Sequence, residues 1–129
     1  MADKIILVDT SLLIDYFRKT DKSKSKLSQL VKHDYIFYIS VITEFEIFAG
    51  TSAGQTGFWE DFLRQVRVLP FDRVAVKIAV NINTILKRTR KQIDLPDLFI
   101  AATAISNGLS LATLNIRHFE RVDSLQLIK

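Results

Sequence analysis

Two apolar patterns alternate along this chain: short continuous runs, and stripes at helical spacing. Ile5–Val8 (IILV) is a β-branched-rich run, the mark of a strand covered on both faces. Residues 35–40 (YIFYIS) read as a second strand and 68–71 as a brief third, broken by Pro70. Further strands are expected at 109–114 and 125–128. Between these runs the spacing turns helical. Behind Asp9, Thr10 and Ser11 offer N-caps for a helix over 12–18, and a second helix over 24–32 carries Leu27, Leu30 and Val31 on one face. Ser40 can cap a helix over 41–49 that Gly50 ends. A loop of small and polar residues, 51–57 (TSAGQTG), precedes an amphipathic helix over 58–66. Asp72 caps the longest helix, which reaches Lys91 and turns Val76, Ala79, Val80, Ile82 and Ile85 inward. Pro96 suits the first turn of the next helix, Asn107-Gly108 ends it, and 118–121 makes one last helical turn.

Strands separated by helices, with no Asn-Gly hairpin signal between strand runs, predict an α/β fold with a parallel sheet and helices on both faces. A chain of 129 residues without internal repeats or low-complexity linkers predicts one domain, 1–129. It has no cysteine, so disulfides and thiolate metal sites are excluded. No run approaches the ~18 apolar residues of a membrane span, and no basic segment leads into an apolar core near Met1, so a cytoplasmic location is expected. The net charge of +4 is unevenly spread. Bases bunch at 18–26 (RKTDKSKSK) and 87–91 (KRTRK), whereas acids are scattered. Such bunches attract polyanions, and they are equally what solvated helix ends look like.

The candidate chemistry gathers around 94–115 (DLPDLFIAATAISNGLSLATLN). Residues 98–105 are apolar on nearly every helical face, which marks an interior helix, and Asp97 stands one position before them. A carboxylate there is costly to bury without a partner. In open parallel sheets, ligands bind beyond the carboxyl ends of the strands. Asp9 ends the first strand, Glu44 lies in the first turns of the helix after the second, Asp97 opens the interior helix, and Asn115 ends the strand that follows it. All four can meet on one rim. Three carboxylates about 5 Å apart would repel by roughly 3 kcal/mol per pair, so the cluster needs a cation. Oxygen donors without histidine or cysteine favour Mg²⁺ or Mn²⁺, ions that serve phosphoryl chemistry. Each residue also has a structural role open to it. Asp9 and Asp94 can cap helices, Asp97 can face a helix dipole, Asn115 can form a turn, and His33 and His118 can be surface or capping residues. Periodicity does not choose between Glu44 and Glu46.

Four segments together resemble the PIN-domain nucleases, and most closely the VapC-like toxins of type II toxin–antitoxin modules. They are ILVDTSLLIDYF (6–17), SVITEFEIFAG (40–50), DLFIAATAISNGLSLATLNIRHFERV (97–122) and the closing LQLI, so the likeness runs the length of the chain. The resemblance implies a PIN-like three-layer α/β/α sandwich with a central parallel sheet of about four to five strands. It implies a metal-dependent endoribonuclease using Mg²⁺, or Mn²⁺ in its place, in which water attacks in line and leaves 5′-phosphate and 3′-hydroxyl ends. Matched by position, Asp9, Glu44 and Asp97 would be the acidic metal ligands, Glu44 being preferred over Glu46. Asn115 falls where many relatives carry a fourth acid, which removes one charge from any second metal site. Ser11 and Thr113 match small polar positions that support such a site, and Asp94 is an additional acid for support or capping. The implied partners are an RNA substrate guided by bases such as Arg117 and 87–91, a small antitoxin, and a second copy of the chain, with Phe48, Phe58 and Trp59 as contact candidates. An RNA-processing relative without an antitoxin and a non-catalytic binding module are the alternatives. A phosphoenzyme phosphatase fits less well, because the first strand ends Asp9-Thr10-Ser11 with no second aspartate two residues on.

Overall fold

A strand that must be covered on both faces belongs at the centre of its sheet, and Ile5–Val8 (β1) occupies that place. The computed structural model describes residues 4–129; residues 1–3 of the expected domain lie outside the described residues. β1 pairs in parallel with Ile36–Ser40 (β2) on one side and Leu111–Ala112 (β4) on the other, with Leu7 opposite both Tyr38 and Leu111. Val68–Leu69 (β3) pairs with β2, so the sheet runs β3-β2-β1-β4, all parallel. The expected last strand is reduced to one parallel bridge, Leu111 to Leu127.

Successive side chains of β1 point to opposite faces and divide the core in two. Leu7 joins the layer of Arg73–Arg88 (α5) and Leu95–Ser106 (α6), packing with Ala79, Ile82, Leu86, Ile100 and Phe119. Ile6 and Val8 face the other layer, made by Thr10–Arg18 (α1), Lys26–Lys32 (α2), Val41–Gly50 (α3) and Thr56–Arg64 (α4), with Leu12, Leu13, Ile47 and Trp59. This is an α/β/α sandwich. Ser40 caps α3 by accepting from the Thr43 N–H at 3.1 Å, and Asp72 caps α5 by accepting from Ala75 N–H at 3.0 Å. No helix among the described residues is long and apolar enough to cross a membrane.

Several expectations need correction, each for a local reason. The inward stripe of α5 is Ala75, Ala79, Ile82 and Leu86, while Val76, Val80 and Ile85 are exposed, as is Val31 on α2. The apolar side of α5 is wider than the buried stripe, so residue type alone could not say which part of it faces the core. α5 stops at Arg88 because Arg90 takes a left-handed φ of 56° and the Lys91 N–H turns back to Leu86 O. β4 is short because the Leu109 N–H still bonds Ala104 O at the end of α6, while Thr113 turns toward Asp9. Trp59 is buried, which removes it from the contact candidates.

The short helix Ile116–Phe119 (α7) is held by Phe119, among the largest fully buried side chains. Phe119→Ala is expected to destabilise the protein by about 3–5 kcal/mol in urea unfolding, because α7 offers few other anchors with which to close the cavity.

Candidate active site

The helix after β1 starts at once, with Asp9 in the N-cap backbone position, yet its side chain makes no capping bond. The carboxylate turns instead toward the sheet edge. Its Oδ2 accepts from the Thr113 hydroxyl at 2.7 Å and the Ser11 hydroxyl at 2.8 Å. Oδ1 has no hydrogen-bond partner among the described residues, although Asp9 is only 3% exposed. The two hydroxyls are themselves fixed, since Ser11 Oγ accepts from Leu114 N–H and Thr113 Oγ1 from Asn115 N–H. Thr10 and Ser11 therefore do not cap α1 as expected; both face the site. Thr113→Val removes one of two donors to a buried carboxylate, and a loss of about 1.5–3 kcal/mol in urea unfolding is expected at neutral pH.

Asp9 lines a cleft of about 570 Å³ with Asp97, Glu46 and Asn115, closed along one side by α1. Asp97 lies in the first turn of α6 with its side chain half-buried, and its Oδ2 is 3.5 Å from His118 Nδ1. Its pKa is raised, first by burial and then by the negative charge of Asp9, with Glu46 adding a smaller push and His118 opposing them. No lysine or arginine forms an ion pair with Asp9, Glu46 or Asp97 among the described residues.

Asp9, Ser11, Asp97 and Asn115 thus meet at one cleft, and Thr113 stands directly behind Asp9. Glu44 does not line the cleft; Glu46 takes its place, a correction to the choice between the two. Two residues on a helix are about 200° apart, so these acids cannot share a face. The face of α3 toward α1 carries Thr43 and Glu46: the Thr10 hydroxyl donates to Glu46 Oε1 at 2.7 Å and lies 3.0 Å from the Thr43 hydroxyl. Glu46 stands three residues beyond Thr43 and so shares its face, and it is the structure that turns this face toward α1. Asp94 occupies the N-cap position of α6 but is exposed, makes no side-chain capping bond and does not line the cleft. Neither Arg117 nor the bunch at 87–91 lines it; Arg18 and Lys19 do. His118 is a site neighbour that spacing could not reveal, because its contact depends on how α7 packs against α6.

Among the described residues no three Asp, Glu, His or Cys side chains close on a single ion as they stand. Glu46 is turned to Thr10 and Asp97 to His118, the arrangement expected of carboxylates that repel one another. The donor set nevertheless suits a hard divalent cation. It offers carboxylate oxygens and an amide, no thiolate, and a surplus of negative charge with which no lysine or arginine among the described residues pairs.

The PIN domain family profile matches residues 6–125. The chain is similar to Ribonuclease VapC1 of Methanocaldococcus jannaschii, 36% identical over 123 residues that cover 95% of this chain and 84% of that one. It is likewise similar to Ribonuclease VapC10 of Mycobacterium tuberculosis, 33% identical over 123 residues that cover 95% and 91%. Among solved structures, DNA-bound VapBC from Salmonella typhimurium matches with a TM-score of 0.83 at 25% identity, covering 95% of this chain and 96% of that one. VapBC2 from Rickettsia felis, bound to a DNA fragment from its promoter, matches with a TM-score of 0.84 at 23% identity over 96% and 97% of the two chains, a likeness of fold.

Proposed function

The chain belongs to the PIN domain family, and from that premise we propose that residues 1–129 act as one PIN-like domain, a Mg²⁺-dependent endoribonuclease that serves in the cytoplasm as the toxin of a type II toxin–antitoxin pair. The observation that carries this reading is that Asp9, Glu46 and Asp97 line one cleft and no lysine or arginine among the described residues pairs with any of them. The names of the relatives supply the substrate class.

In this reading Asp9, Glu46 and Asp97 would hold the cation, with Asn115 lining the same cleft. When bound, Mg²⁺, or Mn²⁺ in its place, supplies an activated water and neutralises charge at the scissile phosphate. The chain's own residues do the rest. Ser11 and Thr113 fix Asp9 by donating to one oxygen, which leaves the other for the cleft. Thr10 restrains Glu46, and His118 draws one oxygen of Asp97 to the cleft wall. Such outer partners orient the primary donors. Asn115, in place of an acid, leaves the set one charge short for a second cation.

The partners proposed are RNA, a small antitoxin that covers the acidic cleft, and a second copy of the chain. The exposed apolar side chains of Val76, Val80 and Leu95 favour a self-association surface. The deciding experiment incubates purified protein with single-stranded RNA in Mg²⁺ and in excess EDTA. Cleavage is expected only with the metal; intact RNA in Mg²⁺, or cleavage undiminished by EDTA, defeats the proposal. Coexpression with a short reading frame directly upstream is expected to relieve toxicity.

A further inference from the structure

The cleft has a basic pole opposite its acids. One face of α1 carries Ser11, Ile14, Asp15, Arg18 and Lys19, at helical spacings that keep them in line, and all five border the cleft. Leu12 and Leu13 point the other way, into the core. Arg18 comes nine residues after Asp9, so the two are about 13 Å apart along the helix axis at 1.5 Å per residue. That span takes at most about four phosphates of a stacked strand.

The bases of 18–26 are not equivalent. Lys22 is consumed by the fold: its Nζ donates to Tyr16 O and Phe17 O at 3.0 Å and to Lys19 O at 3.3 Å, and it lies 4.9 Å from the centre of the Tyr16 ring. It thereby satisfies the last carbonyls of α1 and fixes the end of the helix. Lys19 pairs with Asp15 at 3.5 Å. Arg18 makes no ion pair and no side-chain hydrogen bond among the described residues, and it is exposed at the cleft. A guanidinium presented from a rigid helix end is a ready bidentate partner for a phosphate.

We propose that Arg18, seconded by Lys19, is a backbone-phosphate subsite for an RNA strand laid along α1, gripping it a few nucleotides from the bond that the acids cut. This rests on the nuclease reading above. A base that merely complemented the α1 dipole would affect stability and leave RNA affinity alone.

The test uses the full chain and a labelled single-stranded oligoribonucleotide. In an Asp97→Asn background, where RNA stays intact, Arg18→Ala is expected to lower the slope of log affinity against log salt by about 0.7, one phosphate contact. Lys77→Ala, the same loss of charge on exposed α5, should leave the slope unchanged. In the cleaving protein, Arg18→Ala should raise KM roughly five- to tenfold with kcat retained, and Arg18→Lys should recover part of it. Cleavage by the unaltered protein with KM and slope unmoved by Arg18→Ala overturns the subsite alone, as does an equal loss from Lys77→Ala. Failure of the unaltered protein to bind or cut RNA overturns the nuclease reading and the subsite with it.

Discussion

Asp97→Asn is expected to lower metal-dependent RNA cleavage by more than about a hundredfold, the upper range for losing a mere outer-shell partner, while making the metal-free protein more stable at neutral pH. The two effects have one origin. Burial and the charges of Asp9 and Glu46 raise the Asp97 pKa, only partly offset by His118. The folded protein therefore binds the Asp97 proton more tightly than the unfolded chain does. Stability from this group is present below the unfolded pKa, near about 3.9, falls as pH rises through the higher folded pKa, and stays low at pH 7. Asparagine has no charge to desolvate, so that step should vanish from the stability curve. Mg²⁺ should restabilise the parent protein by linkage and leave the variant nearly unmoved. Urea unfolding in EDTA across pH 3–8, with and without Mg²⁺, measures this alongside cleavage. A variant that cuts RNA normally, or that is less stable than its parent at pH 7 in EDTA, contradicts the assignment.

Why Asp97 was legible and its surroundings were not follows from what a sequence encodes locally. Ile5–Val8 and 98–105, apolar at every position but Thr103, announce interior elements, because such runs leave no polar side to turn to solvent. Asp9 and Asp97 at the ends of those elements then follow from parallel topology. The Ser40 and Asp72 caps were equally plain. What failed depends on rotation and packing. The stripe of α5 was misjudged because Val76 and Val80 are exposed despite their type. His118 reaches Asp97 only because Phe119 seats α7 against the core. Arg18, from a bunch that reads as a solvated helix end, turns out to border the cleft, whereas 87–91 does not.

Glu46→Gln should reduce cleavage by more than about a hundredfold, whereas Glu44→Gln should stay within about twofold, the range of a surface change of some 0.5 kcal/mol. Resemblance alone favours Glu44, so the pair of variants sets position in a motif against position in space. Glu46 lies on the α3 face toward α1, is gripped by Thr10, and helps to raise the Asp97 pKa through the cleft. Glu44, about 200° away around the helix, makes no hydrogen bond or ion pair among the described residues and does not border the cleft. Glutamine keeps the shape and the bond from Thr10 but removes a charge. Glu46→Gln should therefore also bring the Asp97 carboxyl down toward its ordinary range and weaken the stabilisation that Mg²⁺ gives. Carboxyl NMR titration of Asp97 reads the first effect and Mg²⁺-dependent melting the second, both without RNA. If Glu44→Gln abolishes cleavage and Glu46→Gln does not, the third ligand is Glu44, and α3 must rotate in the active protein to bring it in.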